Sequence, residues 1–507
     1  MILGVAPIEA PSVDWLAVGP VLALAAAGVA IVLAKALLRS RPVAMPVSLA
    51  LALAGIIAAG ALEFRLWNVV RDDGPITTFT SVGGSGMLRV DLFAVFLGVV
   101  VLIATLLAVL LSVAYLRREG FEAPEYLALL LLSGAGMLAM TSANDLIVVF
   151  VALEVLSIPL YVLAAFDRRR ATSQEAGIKY FVLGAFSSAV FLYGVALTYG
   201  ATGTTSLTGI GQFLAQNTLL DQGTLLAGFA LLLVGLGFKV AAVPFHMWTP
   251  DVYQGSPTPV TAFMSAATKA AAFAALLRVF GVAFPLYSTD WRPAVWVLAV
   301  LSLIVGSVAA VVQTDIKRML AYSSIAHAGY VLMGFQTQTI RGREAALFYL
   351  FVYTFMSIGA FAVITLATKK GDDHHSLDDY RGLALRRPVL GGFLIFFVLA
   401  QAGIPLTGGF VAKLEIFSAT AQAQEYGLLL VGVLAAVVTA FFYLRIAMTL
   451  LSSATGEGSD EASGSVVMRR VDALSAVVLV GAGVMVLLIG IAPDTFIHWA
   501  RDASFLL

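Results

Sequence analysis

Long apolar runs separated by short polar stretches dominate this chain, at residues 15–38, 43–63, 88–116, 124–142, 145–166, 174–200, 223–247, 256–284, 293–314, 316–336, 343–368, 388–420, 426–451 and 467–491. About 20 apolar residues in an α-helix cross the hydrocarbon core of a bilayer. The pattern therefore predicts an all-α polytopic membrane protein with about fourteen transmembrane helices. An even number places both termini on one side. Sixteen Lys and Arg fall in or beside the loops after odd-numbered helices, against seven after even-numbered ones and in the C-terminal tail. Cytoplasmic loops are the positively charged ones, so both termini are expected on the outer face. No loop is long enough for a soluble domain, and residues 1–507 read as a single membrane domain. The acidic, glycine-rich stretch "SSATGEGSDEASGSV" (452–466) reads as a flexible linker.

Composition agrees. Of 507 residues, 60% are hydrophobic and 12% charged, and mean hydropathy is +0.96; soluble domains carry about 25% charged residues. Thirty Lys plus Arg balance thirty Asp plus Glu, so net charge points to no acidic partner or nucleic acid. The absence of cysteine excludes disulfides, thiolate-bound Fe–S clusters and Cys-ligated zinc within this sequence. Redox chemistry would have to reside in a partner. The N-terminal stretch "MILGVAPIEAPSVDW" lacks the basic region that opens a signal peptide, so the first apolar segment is expected to remain in the mature protein.

The candidate chemistry lies where charges interrupt apolar runs. Glu154 sits mid-run in "IVVFVALEVLSIPLYVL"; Lys239, Lys269 and Lys413 lie within others, and Lys179 near a helix start. A charge at the bilayer centre costs roughly 2.5–3.5 kcal/mol on insertion scales. Such groups face the protein interior, pair, or line a hydrated route, and a series of them can pass protons. Each also has a structural reading. Glu154 and a lysine can simply fix helix packing. Lys269, in "SAATKAAAF", has Ser265 one turn before it. Lys179 has Glu175 at i−4, the favourable order for a helical ion pair. His327, in "AYSSIAHAGY", stands between Ser323 and Tyr330 and reads as a core histidine or a relay. His246, after Pro244, is expected either to cap freed carbonyls or to take up protons. His374 and His375, in "KKGDDHHSLDD", read as solvated loop residues, with no spacing that supports a metal site.

Two apolar runs contain breaks. "GFKVAAVPFHMW" (237–248) carries Lys239 and then Pro244; "AGIPLTGGFVAKLEIF" carries Pro405, Gly408, Gly409 and Lys413. Proline removes a backbone hydrogen bond and clashes with the preceding turn, and freed backbone at membrane depth is tolerated only where protein or cavity water meets it. The two runs are five helices apart and so cross in opposite senses. Inverted repeats produce this pattern. The expected organisation is three peripheral helices (1–116), a first repeat of helices 4–8 (124–284), an inverted second repeat of helices 9–13 (293–451), and a final helix and tail (467–507). Glu154 would then correspond to the Ser323/His327 helix.

The stretch "LGFKVAAVPFHMWTPDVYQGSPTPVTAFMSAATKAAAFA" (235–274) resembles the core of the antiporter-like subunits of respiratory complex I. "DVYQGSPTPV" most resembles subunit N of bacterial NADH–quinone oxidoreductase, and "QEAGIKYFVLGAFSSA", "DIKRMLAYSSIAHAGY" and "AGIPLTGGFVAKLE" agree. The lysine at the twelfth-helix position, where the sibling subunit M has glutamate, and the lack of room for subunit L's long C-terminal helix point the same way. The resemblance implies proton pumping coupled to quinone reduction in other subunits. It implies that Glu154 pairs with Lys239, that Lys179 tunes the pair, and that a hydrophilic path continues through Lys269 and the His327 region to Lys413. It also implies complex I membrane subunits as partners and NADH, FMN, Fe–S clusters and quinone in partner subunits, with none held by this chain. Two other readings share the architecture: a subunit of a multi-subunit cation/proton antiporter, and a subunit of a related hydrogenase or photosynthetic complex. Abundant alanine and an excess of arginine over lysine point to the plasma membrane of a GC-rich bacterium.

Overall fold

A computed structural model describes residues 11–38, 44–80, 85–219, 222–368, 371–373, 375–453 and 471–504. The expected linker lies outside these residues from position 454 on, as does His374. The described chain is a helical bundle, with one small antiparallel ribbon, Ile76–Thr78 paired with Leu88–Val90. Spans 1 to 6 are Trp15–Leu38, Ala44–Asp73, Leu92–Glu119, Pro124–Ser142, Leu146–Ala164 and Ala171–Thr202. Span 7 is Gly223–Val240, a turn, and the short helix Trp248–Gly255. Spans 8 to 11 are Thr258–Ala283, Ser288–Val311, Ile316–Gln336 and Ile340–Ala367. Span 12 consists of Pro388–Ala402 and Gly408–Gln422; spans 13 and 14 are Tyr426–Leu451 and Ala473–Ile491.

Of the fourteen apolar runs, twelve form helices long and apolar enough to cross a membrane. The tenth and twelfth differ for separate reasons. Ile316–Gln336 is one unbroken helix but carries Lys317, Arg318, Ser323, Ser324 and His327. The run expected over 388–420 is two helices of 15 residues each, separated around Pro405.

Side chains set the helix starts. Asp91, Asp145, Asp315 and Thr339 are N-caps whose oxygens accept from the N–H of Ala94, Ile147, Arg318 and Gly342 at 2.8–3.0 Å. Such a cap satisfies an N–H that the helix leaves free, worth about 1 kcal/mol. Spans 8 and 11 form the centre, buried along their apolar stretches, while spans 1, 2, 6 and 13 turn broad apolar faces outward. That is the pattern for helices bathed in lipid around a protein-lined interior.

Two connectors are built alike. Asp145 bridges Ser206, with Leu146 N–H donating to Thr205 O at 2.9 Å and Leu207 N–H to Asn144 O at 2.9 Å. Asp315 bridges Ser376, with Ile316 N–H donating to His375 O at 2.8 Å and Leu377 N–H to Thr314 O at 2.7 Å. Each ties the start of one span (5 or 10) to the chain between the next two.

At one end of the bundle Asp372, fully buried between spans 11 and 12, ties several spans together. It accepts from Thr258 N–H at 3.1 Å and Thr258 Oγ1 at 2.9 Å, and lies 3.4 Å from Arg170 Nη1, 3.3 Å from His375 Nε2 and 4.0 Å from Lys317 Nζ. His375, read from sequence as a solvated loop residue, is buried: its ring meets Asp372 O at 2.9 Å and the Tyr380 hydroxyl at 3.3 Å. Burial pushes the Asp372 carboxyl up, but Lys317, His375 and Arg170 outweigh it and hold the group far below the usual carboxylate range.

A carboxyl depressed in the folded state stabilises it above the ordinary carboxylate pKa of about 3.9 and ceases to do so as pH falls through the folded value. Removing one partner of a buried ion pair costs about 3–5 kcal/mol. Asp372→Asn should therefore lower the denaturation temperature of the solubilised protein clearly at neutral pH. Thermal unfolding followed by light scattering checks the drop.

Candidate functional site

The breaks in spans 7 and 12 organise the polar interior. In span 7 the helix closes with Ala241 in the left-handed conformation (φ 62), and Ala242 N–H returns to Gly237 O at 2.8 Å. The indole of Trp248 donates to Phe238 O at 2.9 Å, and Ser302 on span 9 accepts from Val243 N–H at 2.9 Å. In span 12 Gly403 (φ 92) closes the first half. Lys413 Nζ, six residues into the second half, reaches back to Ala402 O at 2.8 Å. A cation at a helix C-terminus meets the negative end of the helix dipole.

Lys239 stands two residues before its cap and is 2% exposed. Its ammonium donates to Ser157 Oγ on span 5 at 2.6 Å and to the Tyr180 hydroxyl on span 6 at 3.4 Å, over the faces of Tyr180 and Tyr161. Trp248 stacks on Tyr180 at 4.7 Å. Glu154 is one turn from Ser157, yet no ion pair joins it to Lys239 among the described residues, and its Oε1 is buried without a hydrogen-bond partner there. Lys179 also pairs elsewhere, with Glu175 at 2.6 Å and Asp251 at 2.7 Å. His246 sits half-buried in the turn between the halves of span 7, with Nδ1 lacking a partner among the described residues.

The remaining candidates gather in a second cluster. Lys269 follows a π-helical turn, Met264–Thr268, and donates to Ser324 O on span 10, with the ring of Tyr353 5.9 Å away. A π turn misaligns carbonyls locally and recurs at functional positions. Ser265, one turn before Lys269, binds Ser357 at 2.6 Å. His327 touches Tyr353 ring to ring at 4.7 Å, and its nitrogens meet the hydroxyls of Tyr349 at 2.6 Å and Tyr443 at 3.0 Å. Tyr443 also bonds Ser323 and donates to Gln401 Oε1 at 3.1 Å. Tyr349 stacks on Tyr330, and the Lys413 ammonium lies 5.3 Å from the Tyr330 ring. Lys269, His327 and Lys413 thus share one buried cluster of hydroxyls and rings. Glu154, Lys239 and Lys179 surround another.

Several groups here escaped the sequence reading. The tyrosines looked like ordinary apolar content, and only the fold turns their hydroxyls onto the charged groups. Gln401 occupies, relative to the Gly403 cap, the place Lys239 occupies relative to Ala241. Arg278 and Asp91 form a buried two-pronged pair at 2.7 and 2.8 Å. Glu63 is 5% exposed with its carboxyl against Gly98; an acid closing the second apolar run was its only signal. Asp251, in the "DVYQG" stretch, receives both Lys179 and Arg318, the latter at 2.5 Å.

Residues 143–439 match the family described as NADH:quinone oxidoreductase/Mrp antiporter, TM. Over 457 residues, 90% of either chain, the protein is 44% identical to NADH-quinone oxidoreductase subunit N of Trichlorobacter lovleyi. A chain from the structure of respiratory complex I from Thermus thermophilus with bound aureothin superposes with a TM-score of 0.78 at 34% identity, over 95% of this chain and 99% of that one. A chain of the Mrp complex from Dietzia sp. superposes with a TM-score of 0.83 over 97% of both, at 23% identity, a likeness of fold alone.

The close crossing within span 12 yields a test of its own. A Cβ at Gly409 would fall on the Ala400 carbonyl oxygen, with the Met356 sulfur at 2.8 Å, whereas Gly427 has open space around it. Overpacking costs about 1–3 kcal/mol, and more where backbone must give. Gly409→Ala should sharply reduce recovery of the folded protein and Gly427→Ala should not, as measured by the native-gel band of tagged protein.

Proposed function

The chain belongs to the subunit N family of NADH–quinone oxidoreductases, membrane subunits of a translocase, and on that premise we propose that Glu154, Lys239, Lys269, His327 and Lys413 carry the proton through it. The observation that carries this reading is the pair of buried polar clusters, each built around lysines that form no salt bridge among the described residues: Lys239 on Ser157 and Tyr180, and Lys269 and Lys413 around His327 and its tyrosines. Lone cations at this depth are costly to keep, and packing alone would be served better by apolar side chains.

In this scheme Glu154 is the control and Lys239 the carrier. An anion beside an ammonium favours the charged form. When Glu154 moves close, Lys239 holds its proton; when it moves away, the proton leaves for Lys269. It then passes the His327 imidazole and the hydroxyls of Tyr349 and Tyr443 and reaches Lys413. Water bridges the interval between the two clusters, at the π turn before Lys269. His246, in the turn below Lys239, is the uptake group. Lys179 modulates the control carboxylate.

The matching connectors at Asp145/Ser206 and Asp315/Ser376, and the left-handed caps at Ala241 and Gly403, support a duplicated architecture of spans 4–8 and 9–13, with 467–507 closing the bundle; of the three helices expected to be peripheral, spans 1 and 2 are, whereas span 3 is largely buried. The site residues of the two halves differ: the place of Lys239 is taken by neutral Gln401 in the second. We assign the chain to the bacterial plasma membrane with both termini outside, on the balance of basic loop residues. Its partners are the other membrane subunits of the complex, and NADH, FMN, Fe–S clusters and quinone belong to those partners.

Lys239→Ala, in the complete complex in sealed vesicles, should cut both proton translocation and coupled quinone reduction about tenfold, equivalent to about 1.4 kcal/mol of barrier. Unchanged rates of proton translocation and quinone reduction in that variant would sink the assignment. Purified complex without NADH:quinone activity, but with cation-dependent proton exchange, would transfer the same residues to an antiporter.

A further inference from the structure

Three charged side chains, Glu154, Lys239 and Lys179, each lack the salt bridge that a simple Glu154–lysine pair would predict. Glu154 has a buried oxygen without a hydrogen-bond partner among the described residues, Lys239 rests on neutral oxygens, and Lys179 is held by Asp251 and Glu175. Asp251 lies on the short helix Trp248–Gly255 beyond the break of span 7. Its two oxygens face different halves of the molecule: Oδ2 takes Lys179 of span 6 at 2.7 Å, and Oδ1 takes Arg318 of span 10 at 2.5 Å. Arg318 also donates to Gln254 at 3.0 Å, and Gln254 donates to Asp315, the N-cap of span 10, at 3.0 Å.

We propose that Asp251 is a positioning residue that parks Lys179 away from Glu154 and, through Arg318, ties that choice to the second half of the protein. The inference rests on the function proposed above. Ser157, one turn from Glu154 on span 5, and Tyr180, next in sequence to Lys179 on span 6, both bind the Lys239 ammonium, so the two spans that carry Glu154 and Lys179 both pack on it. A buried carboxylate oxygen without a donor is a strong acceptor for a nearby cation, and the Lys179 side chain, 40% exposed, has room to leave Asp251. Asp251 competes for it. The competition is mechanical as well as electrostatic. Trp248 opens the helix that carries Asp251, stacks on Tyr180 and binds the carbonyl of Phe238, next to Lys239. A shift of that helix therefore releases Lys179 and disturbs the Lys239 cradle together. Span 10, anchored to Asp251 by Arg318, carries the Ser324 carbonyl that holds Lys269, so the second half feels the same shift.

The test uses the assembled complex with Asp251→Asn, Asp251→Glu, Lys179→Ala and the double variant Asp251→Asn/Lys179→Ala. Asp251→Asn should lower the proton-to-electron ratio as far as Lys179→Ala does, the double variant should be no worse than either single one, and Asp251→Glu should restore most of the ratio. A structure of the Asp251→Asn complex should show the Lys179 ammonium moved to Glu154. Should Asp251→Asn fail to assemble, Arg318→Gln is the second variant, expected to retain the Lys179–Asp251 contact while weakening coupling severalfold. Multiplying effects in the double variant, or Lys179 still turned toward position 251 in the Asp251→Asn structure, would overturn the proposal. The structural readout stands apart from pumping: unchanged pumping and quinone reduction in Lys239→Ala would remove the proposed function, whereas an unmoved Lys179 removes only this inference.

Discussion

An interrupted helix in an apolar medium must find protein partners for every backbone group it frees, and the interior of this bundle is arranged around meeting that demand twice. At the first break the carbonyl of Phe238 is taken by the Trp248 indole, and Val243 N–H by Ser302 of a neighbouring span. At the second, Gly403 and Ile404 N–H groups fold back to Leu399 O, and Lys413 covers Ala402 O. The groups that satisfy the backbone are therefore the same ones that bring polar atoms to the middle of the membrane. Trp248 is both a cap and a wall of the Lys239 cradle, and Lys413 is both a cap and a member of the second cluster.

Because the breaks expose backbone dipoles and recruit hydroxyls, a lysine here can sit on neutral oxygens and aromatic faces with no salt bridge among the described residues. That matters for transport. An ammonium locked in a tight ion pair would hold its proton, whereas one resting on Ser157 and Tyr180 responds to any anion that approaches. The tight pairs lie at the edges: Arg278 with Asp91 at one end of the bundle, Arg170 with Asp372 at the other. Rigid charge pairs frame a centre whose charges have been left free to change partners.

The two halves share connectors and cap geometry but not site chemistry. Lys239 and Gln401 occupy like positions before left-handed caps, and where one helix presents Glu154 nine residues after its Asp145 cap, the other presents Ser324 nine residues after Asp315. Keeping the frame while changing its charged positions leaves two polar clusters of different composition. The unequal substitution explains why the clusters differ.

Most of the architecture could be read directly from the chain. Apolar runs long enough to span a bilayer leave a helix no competitor, since every other backbone form would strand polar groups in lipid. Glu154, Lys239, Lys269 and Lys413 stood out for the same reason: a charge in such a run is too costly to be accidental. Composition was mixed in two runs. Span 10, read from sequence over 316–336, is helical over those residues despite its polar content, because its polar residues face protein. Span 12 is two short helices, because Gly408 and Gly409 permit a close crossing that no longer side chain would. What the tertiary structure alone decided was partnership. Linear spacing placed Lys179 beside Glu175 but not Asp251, made His375 look like a loop residue when it is buried on Asp372, and gave no sign that tyrosines from spans 10, 11 and 13 converge on His327. Which oxygen a buried cation meets depends on how distant helices pack, and that is determined by shape complementarity among apolar surfaces that carry almost no local signature.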